Sequence, residues 1–179
     1  MSAELKRKLT IHIVDDDSLS SMVLGDYLKK KLGHNLEIKD FETGESCLGK
    51  IAEKEPNVVI LDYHLDSKTK DAANGIAILK KIKEHHPNVM VIMLSGQAKI
   101  DVAIETMRLG ASDYVVKGET ASLHVFQILK NRIEVENQAD ELRGYKLGFW
   151  MAIGILAAIF ATVLTLYIFF PDTIKHFRH

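Results

Sequence analysis

The 179-residue chain contains a single cysteine, Cys47. One thiol can form neither a disulfide within the chain nor a cysteine-based zinc site, so we expect a protein of a reducing compartment. Cys47 lies in an apolar helical pattern beside Leu48 and Ile51, which is typical of a buried, unreactive thiol. Residues 1–8 are polar and basic and lack the apolar core of a secretory signal, which predicts that the bulk of the chain is not exported by that route.

The chain also lacks an excess of charge of either sign, because 23 basic residues stand against 24 acidic ones and the net charge is -1. Short basic clusters occur at residues 6–8 and 29–31, but no stripe of aromatic residues suited to stacking on bases accompanies them. We therefore interpret these clusters as solvated faces of the protein. We expect no nucleic-acid partner.

Charged residues are absent from residues 147–171. A bilayer core requires about 20 apolar residues in a helix, so this segment predicts a single transmembrane helix followed by a short polar tail at 172–179. The alternative is a buried core helix, but too few residues follow the segment to cover a helix that is apolar all round. Lys130 and Arg132 add to the positive charge on the N-terminal side, which favours a cytoplasmic location for the preceding domain.

Small residues recur every fourth position near the start of the apolar segment, at Gly144, Gly148 and Ala152. This spacing is typical of transmembrane helices that pack closely against each other. It is compatible with a homodimer formed through the membrane helix.

Short apolar runs alternate with helical patterns over residues 1–132, which we predict to form one soluble domain. Alternating units of this kind indicate an α/β fold with a five-stranded parallel sheet and helices on both faces. Gly33 and Gly110 are expected to end helices, because glycine tolerates positive φ. The last helix is expected to outgrow the domain and to form a helical linker at 133–146. The predicted strands are 9–14, 35–41, 57–61, 89–94 and 113–116, and the predicted helices are 18–32, 44–53, 75–86, 99–109 and one from about residue 120.

Polar side chains stand where four of the apolar runs end. Asp15 and Asp16 follow the first run, Asp62 the third, Ser95 the fourth and Lys117 the fifth. Because ligands bind outside the carboxyl ends of parallel strands, we expect these side chains to converge. Three carboxylates form an all-oxygen site that suits Mg²⁺. Without the ion, repulsion should raise the pKa of at least one carboxyl, and Lys117 should offset part of this effect.

A carboxylate held near a metal ion and a lysine is placed to attack phosphorus and to form an acyl phosphate. Asp62 is the candidate for this nucleophile. Ser95 could donate a hydrogen bond to a phosphoryl oxygen, and Lys117 could supply a positive charge to the same group. Gly96 leaves backbone room for an approaching phosphate. Each signal alone is common, but the set in this order predicts a phosphoacceptor site.

These positions lie in motifs that resemble the receiver domain of two-component response regulators, over roughly residues 9–132. The resemblance implies that Asp62 accepts a phosphoryl group from a histidine kinase or a phosphotransfer protein. It also implies that Ser95 and Tyr114 form a switch pair, in which the hydroxyl moves toward the phosphate as the aromatic ring turns inward. The motifs are Ile-Val-Asp15-Asp16-Asp17, Val-Val-Ile-Leu-Asp62, Met-Leu-Ser95-Gly and Asp-Tyr114-Val-Val-Lys117.

The resemblance further implies a set of Mg²⁺ ligands. Asp16 and Asp62 would bind the ion directly and Asp15 through a water molecule. The backbone carbonyl of His64 would complete the protein ligands. The side chain of His64 occupies a position that, in the family, influences how long the phosphate survives.

Besides His64, the chain departs from the family pattern in two other places. The loop at 63–74 is several residues longer than is usual and carries Lys68, Lys70 and Asp71, so it could alter the access of partners. Gly118 stands where the family usually has proline, so the strained peptide bond that is common there is not expected. Neither departure removes an essential group, and we predict a receiver that can be phosphorylated.

The favoured interpretation is a signalling module, in which phosphorylation of Asp62 changes the affinity of the face built from the fourth and fifth helices for an output protein that the sequence does not identify. No DNA-binding or catalytic output domain is expected in the remaining residues. We therefore expect a single-pass membrane protein whose receiver domain faces the cytoplasm.

One alternative is a Mg²⁺-dependent phosphohydrolase with an aspartyl nucleophile. Such enzymes usually carry a second acid two residues after the nucleophile, where this chain has His64, and they select small substrates with a cap domain that has no counterpart here. A flavodoxin-like cofactor binder is a weaker alternative. It would need a first loop rich in hydroxyls and amides to hold phosphate, whereas the acidic residues 15–17 would repel one.

Overall fold

The computed structural model describes residues 8–33, 35–65 and 74–169, without the side chains of 139–147 and 166–169. Most of the predicted long loop, including Lys68, Lys70 and Asp71, lies outside the described residues, as do residues 1–7 and the predicted tail. Within these described residues, five strands alternate with five helices. The elements are β1 (Leu9–Val14), α1 (Ser18–Leu32), β2 (Leu36–Phe41), α2 (Gly44–Glu53), β3 (Val58–Asp62), α3 (Gly75–His85), β4 (Met90–Ser95), α4 (Ile100–Arg108), β5 (Asp113–Val116) and α5 (Ala121–Phe169).

The strands form one parallel sheet in the order β2-β1-β3-β4-β5. This confirms the predicted α/β fold. Every residue of β1 and β3 is buried, because both strands lie inside the sheet and helices cover its two faces. Strands that are buried on both faces need mostly apolar side chains at successive positions, which explains the largely apolar runs in the sequence.

Two apolar clusters form the core, one on each face of the sheet. Successive strand residues point to opposite faces, so Ile60 packs with α1 and α5 while Leu61 packs with α2 and α3. Leu28 of α1 and Leu129 of α5 are almost fully buried. Each contributes about 1.5–3 kcal/mol of stabilisation through the removal of its side chain from water. Cys47 is also fully buried, and burial raises the pKa of its thiol to about 12, as expected for an unreactive cysteine.

Short polar side chains determine where three of the helices begin. The side chains of Asp17, Thr43 and Asn74 accept backbone N–H groups of the first turns of α1, α2 and α3. Such caps satisfy donors that have no partner within the helix. Gly33 and Gly110 have φ values of 83° and 93° where α1 and α4 end, as the sequence predicts.

Strands β3 and β4 each start and end one residue later than the sequence predicts. Asp62 is the last residue of β3 and Ser95 the last of β4, rather than the residues after them. The sheet continues past both, because Tyr63 N donates to Leu94 O at 2.8 Å and Lys117 N donates to Ser95 O at 2.7 Å. The polar side chains at this edge are therefore held by the hydrogen-bonded sheet.

The chain divides into two compact units, Met1–Glu134 and Val135–His179. Within the first unit, α5 contributes Val125, Leu129 and Ile133 to the core. This spacing of four residues places the three side chains on one face of the helix. Among the described residues, the first unit thus holds the sheet, helices α1 to α4 and the first part of α5.

Within the second unit, the segment Gly148–Thr165 is one candidate membrane span, with a mean hydropathy of 2.0 and none of its residues buried. A core helix of the same composition would be covered by protein. The hydroxyls of Thr162 and Thr165 donate to the carbonyls of Ile159 and Ala161 in the preceding turn. These polar groups are therefore satisfied within the helix, as an apolar surrounding requires.

Candidate functional site

The carboxyl ends of β1, β3, β4 and β5 bring the predicted polar residues to one edge of the sheet. Strand β1 lies beside β3, so Asp15 and Asp16 stand next to Asp62. One carboxylate oxygen from each of these three residues lies within 4.8 Å of the others. The prediction that the acidic side chains converge is confirmed by this geometry.

The three acidic residues are buried, with exposed fractions of 1% for Asp15, 7% for Asp16 and 4% for Asp62. Buried carboxylates require nearby positive charge or hydrogen-bond donors. Within the part of the chain that the structure describes, Asp16 Oδ2 is buried without a hydrogen-bond partner. The donor set consists of oxygens alone, which suits a hard cation such as Mg²⁺. The residues present therefore fit a magnesium ion.

Lys117 extends from the loop after β5 into the acidic cluster. Its Nζ donates to Asp15 Oδ2 and to Asp62 Oδ2, both at 2.7 Å. Burial alone would lower the pKa of Lys117, but these two carboxylates outweigh burial and raise it. The lysine is therefore charged, and it supplies one positive charge to three acidic side chains. The three carboxylates exceed the lysine by two formal negative charges, which a divalent cation would balance.

The pKa of Asp62 is raised above its usual value, mainly because the carboxyl is buried. Hydrogen bonds from Lys117 and from the backbone N–H of His64 act in the opposite direction, and the negative charge of Asp15 adds a smaller increase. The sequence correctly predicts a raised pKa within the cluster. It assigns the increase to repulsion between carboxylates, whereas burial is the larger cause.

Replacing Lys117 with methionine is expected to destabilise the Mg²⁺-free protein, because the buried carboxylates of Asp15 and Asp62 lose their half-buried counter-charge. We expect the free energy of unfolding to fall by about 2–3 kcal/mol. Chemical denaturation of the full chain in EDTA measures this change. Lys8→Met is the matched control and should change the stability little, since Lys8 pairs with Glu37 at the surface. Equal losses in the two variants would contradict the structural role of Lys117.

The third acidic residue of the first motif, Asp17, has a different task from its two neighbours. Its Oδ1 accepts the backbone N–H of Leu19 at 3.1 Å and caps α1. Asp15 Oδ1 in turn accepts the backbone N–H of Asp17 at 3.0 Å. The loop therefore places Asp15 in the cluster and turns Asp17 away into the helix cap.

The hydroxyls of Ser95 and Tyr114 share one backbone acceptor. Ser95 Oγ donates to Gln97 O at 3.2 Å and accepts from Gln97 N at 3.3 Å, while Tyr114 Oη donates to the same carbonyl at 2.8 Å. Among the described contacts, none joins Ser95 Oγ to Asp62 or Lys117. The predicted switch pair is therefore brought together at Gln97, outside the acidic cluster.

Gln97 is a residue that the sequence interpretation misses. A serine that hydrogen-bonds the backbone two residues later forms a common local turn, and this pattern could have indicated the contact with Ser95. The contact with Tyr114 depends on the folding of distant strands. No local signal could have indicated it.

His64 lies two residues beyond Asp62, and its side chain is exposed. Its ring stands edge-on to that of Tyr63, with the ring centroids 4.7 Å apart. The backbone N–H of His64 hydrogen-bonds the Asp62 carboxylate. The main chain at this residue therefore contacts the site directly, while its side chain faces solvent.

The family described as response regulator receiver domain has a sequence model that matches residues 11–126. The chain belongs to this family. Receiver domains are regulatory phosphoacceptors, and they typically bind Mg²⁺ through an acidic cluster. In this receiver the acidic cluster consists of the buried residues Asp15, Asp16 and Asp62, and the half-buried Lys117 lies beside it.

Solved receiver domains are similar to this receiver in sequence and fold. The receiver domain of NtrX from Brucella abortus is 29% identical, with a TM-score of 0.58, and the match covers 69% of this chain and 96% of that one. The BeF3-activated receiver domain of DrrB is 28% identical, with a TM-score of 0.60, and the match covers 70% and 97% of the two chains. DrrB is an OmpR/PhoB homologue from Thermotoga maritima.

A longer NtrX chain from Brucella abortus is 26% identical over 74% of this chain, with a TM-score of 0.61. The receiver described here spans 29% of the length of that chain. The likeness therefore concerns the receiver part. No curated protein matches the chain significantly.

Proposed function

We propose that the protein is a membrane-anchored response regulator receiver in which Asp62 is the phosphoacceptor. The observation that carries this proposal is the buried Asp62 carboxylate, which lies 2.7 Å from the Lys117 ammonium and beside Asp15 and Asp16. The phosphoryl donor would be the phosphohistidine of a histidine kinase or of a phosphotransfer protein, the partners that membership of the receiver family implies.

In the proposed reaction, a carboxylate oxygen of Asp62 forms a bond to phosphorus as the bond from phosphorus to the donor's imidazole nitrogen breaks. The electron pair of the broken bond stays on the imidazole, which then takes up a proton. Lys117 holds its charge beside the attacking carboxylate and is placed to contact the transferred phosphoryl group. The product is an acyl phosphate on Asp62.

Asp15, Asp16, Asp62 and the backbone carbonyl of His64 would hold Mg²⁺ in this proposal. The ion, when bound, would neutralise negative charge on the oxygens that surround phosphorus. Support comes from the buried Asp16 oxygen that lacks a hydrogen-bond partner and from the excess of carboxylates over Lys117. The Lys117 side chain and the backbone N–H of His64 orient Asp62, since both interact with its carboxylate.

Ser95 and Tyr114 would carry the response to phosphorylation. Ser95 is 2% exposed and ends the strand beside β3, so rotation of its hydroxyl away from Gln97 would direct it toward a phosphoryl group on Asp62. That rotation removes one of the two hydroxyl donors from the Gln97 carbonyl, which also holds Tyr114. The position of the tyrosine would thus depend on whether Asp62 carries phosphate.

The output would be a change in protein contacts rather than DNA binding or catalysis. Helix α4 exposes Ile100, Ile104 and Met107 on one face, with exposed fractions of 77%, 47% and 48%. Apolar side chains grouped in this way are typical of surfaces that bind other proteins. They support an output protein that reads the state of the nearby Tyr114.

The candidate span Gly148–Thr165 would anchor the receiver in a membrane, with a single crossing and the receiver in the cytoplasm. A cytoplasmic location gives the receiver access to kinases that consume ATP. The small residues near the start of the span would allow two copies of the helix to pack together. The anchored form would then be a homodimer.

Phosphorylation by a small donor tests the proposal. We expect the full chain in nanodiscs, given Mg²⁺ and acetyl phosphate, to gain one acid-labile phosphoryl group, and EDTA to prevent the gain. Borohydride reduction of the acyl phosphate followed by peptide mass spectrometry should locate the group on Asp62. A modification elsewhere, or sustained hydrolysis of phosphate esters with multiple turnovers, would contradict the proposal and favour a phosphohydrolase.

A further inference from the structure

Gly75 begins α3 and lies directly against the main chain of the phosphoacceptor strand. A Cβ at this position would stand 2.2 Å from the Asp62 carbonyl oxygen and 2.8 Å from Tyr63 Cα. Atoms cannot stand so close together, and both neighbours belong to the main chain. A side chain at this position would therefore force the backbone to shift. Gly75 is outside the set of glycines with positive φ, so its backbone conformation is open to other residues. Glycine is needed here for the close approach.

The segment that Gly75 touches carries two atoms of the proposed site. Gly75 N donates to Tyr63 O at 3.0 Å, and Tyr63 N donates to Leu94 O at 2.8 Å. Tyr63, the residue after Asp62, is therefore hydrogen-bonded through both its backbone N–H and its carbonyl. The next residue, His64, donates its backbone N–H to the Asp62 carboxylate. A displacement of Tyr63 would therefore move both this donor and the His64 carbonyl.

We propose that Gly75 is a positioning residue, which sets the Asp62 carboxylate and the His64 carbonyl for Mg²⁺ binding and phosphoryl transfer. This inference rests on the proposed function of Asp62. Gly75 acts through the main chain of residues 62–64 and touches no reacting atom. Residues that orient metal ligands without touching the metal ion typically change metal affinity or activity by about 10–100-fold when they are substituted.

Gly44 provides a matched control, because it is the first residue of α2 as Gly75 is the first residue of α3. A Cβ at Gly44 would also stand 2.2 Å from its nearest neighbour, but that neighbour is Cγ1 of the Ile78 side chain. Gly44→Ala therefore introduces a steric conflict in the core without pressing on the main chain of Asp62. Gly49, where a Cβ would meet nothing within 4 Å, gives a neutral reference within α2.

The test compares Gly75→Ala, Gly44→Ala and Gly49→Ala in the full chain in nanodiscs. Isothermal titration with MgCl₂ gives the affinity for the ion, and acetyl phosphate gives the phosphorylation rate. Both are measured at a temperature where chemical denaturation shows every variant to be folded. We expect Gly75→Ala to weaken Mg²⁺ binding and to slow phosphorylation about tenfold or more. The other two variants should stay within about twofold of the wild type.

A second pair of variants keeps the test decisive if Gly75→Ala does not fold. Asn74→Ala removes the cap that holds the start of α3, and Thr43→Ala removes the corresponding cap of α2. We expect Asn74→Ala to weaken Mg²⁺ binding and Thr43→Ala to leave it unchanged. Wild-type Mg²⁺ affinity in Asn74→Ala and, where it folds, in Gly75→Ala, or equal losses in the α2 variants, would overturn the role of Gly75.

The two readouts separate this inference from the proposed function. If the wild type binds Mg²⁺ but acquires no phosphoryl group on Asp62, the proposed function fails, and the Mg²⁺ titrations still decide the role of Gly75. If the wild type is phosphorylated on Asp62 and Gly75→Ala matches it in both rate and affinity, the role of Gly75 alone fails.

Discussion

Asp62→Asn is expected to abolish the acyl phosphate that acetyl phosphate forms on the protein. An amide oxygen is a poor nucleophile, and it lacks the negative charge that attracts both Lys117 and Mg²⁺. The neighbouring carboxylates of Asp15 and Asp16 do not substitute for it, because they follow β1 rather than end β3. Quantitative mass spectrometry of the full chain, before and after reaction, should show no phosphoryl group on the variant.

Loss of folding would not account for this result. Burial raises the pKa of Asp62, so ionisation of this carboxyl costs more free energy in the folded protein than in the unfolded chain. Asparagine removes that charge, and we expect the free energy of unfolding without Mg²⁺ to be at least as high as in the wild type. Asp17→Asn is the matched control, since asparagine caps helices as well as aspartate does. Full labelling of Asp62→Asn, or equal loss in Asp17→Asn, would refute the assignment.

Two acidic substitutions in the apolar helix are expected to remove the protein from membranes. Leu156 and Phe160 lie in the middle of the candidate span, with exposed fractions of 66% and 69%. An aspartate at the centre of a spanning helix costs about 2.5–3.5 kcal/mol, so the double variant Leu156→Asp/Phe160→Asp should lose about 5–7 kcal/mol of insertion free energy. Membrane fractions washed with alkaline carbonate should retain the wild type and not this variant.

Val135→Asp provides the control for this experiment. Val135 is also exposed and lies in the same helix, but outside Gly148–Thr165, and its replacement should leave the protein in the membrane. A reporter fused after residue 179 tests the orientation and should be active only on the side opposite the cytoplasm. Retention of the double variant in washed membranes would show that the helix does not hold the protein there. A reporter active in the cytoplasm would refute the proposed orientation.

Most of the fold could be predicted from the sequence because its two strongest signals are local. The runs of β1 and β3 are buried at every position and largely apolar, since helices cover both sides of the sheet, and the polar exceptions are Thr10, His12 and Asp62. Helix α1 has the predicted limits, because Asp17 caps its start and Gly33 adopts positive φ at its end. The ends of β3 and β4 were displaced by one residue, because the sheet hydrogen bonds that extend them come from neighbouring strands.

In the candidate site, too, some features could be predicted from the sequence and others could not. Asp15, Asp16, Asp62 and Lys117 could be placed together from the sequence, because parallel strands bring their carboxyl ends to one edge. The contact of Gly75 with Asp62 could not, because it joins residues on either side of a long loop and depends on where α3 packs. The shared acceptor at Gln97 was missed for a related reason, since Tyr114 reaches it from another strand.

That shared acceptor makes the orientations of the two hydroxyls thermodynamically linked. A carbonyl oxygen has two lone pairs, and at Gln97 they are shared by three donors, the hydroxyls of Ser95 and Tyr114 and the backbone N–H of Lys99. If rotation of the Ser95 hydroxyl changes the free energy of the Tyr114 hydrogen bond, then movement of Tyr114 changes the free energy of the Ser95 hydrogen bond by the same amount. A protein that binds one orientation of the tyrosine ring would thereby shift the equilibrium occupancy of phosphate on Asp62. The output protein that recognises the state of Tyr114 would then also influence how much of the receiver is phosphorylated.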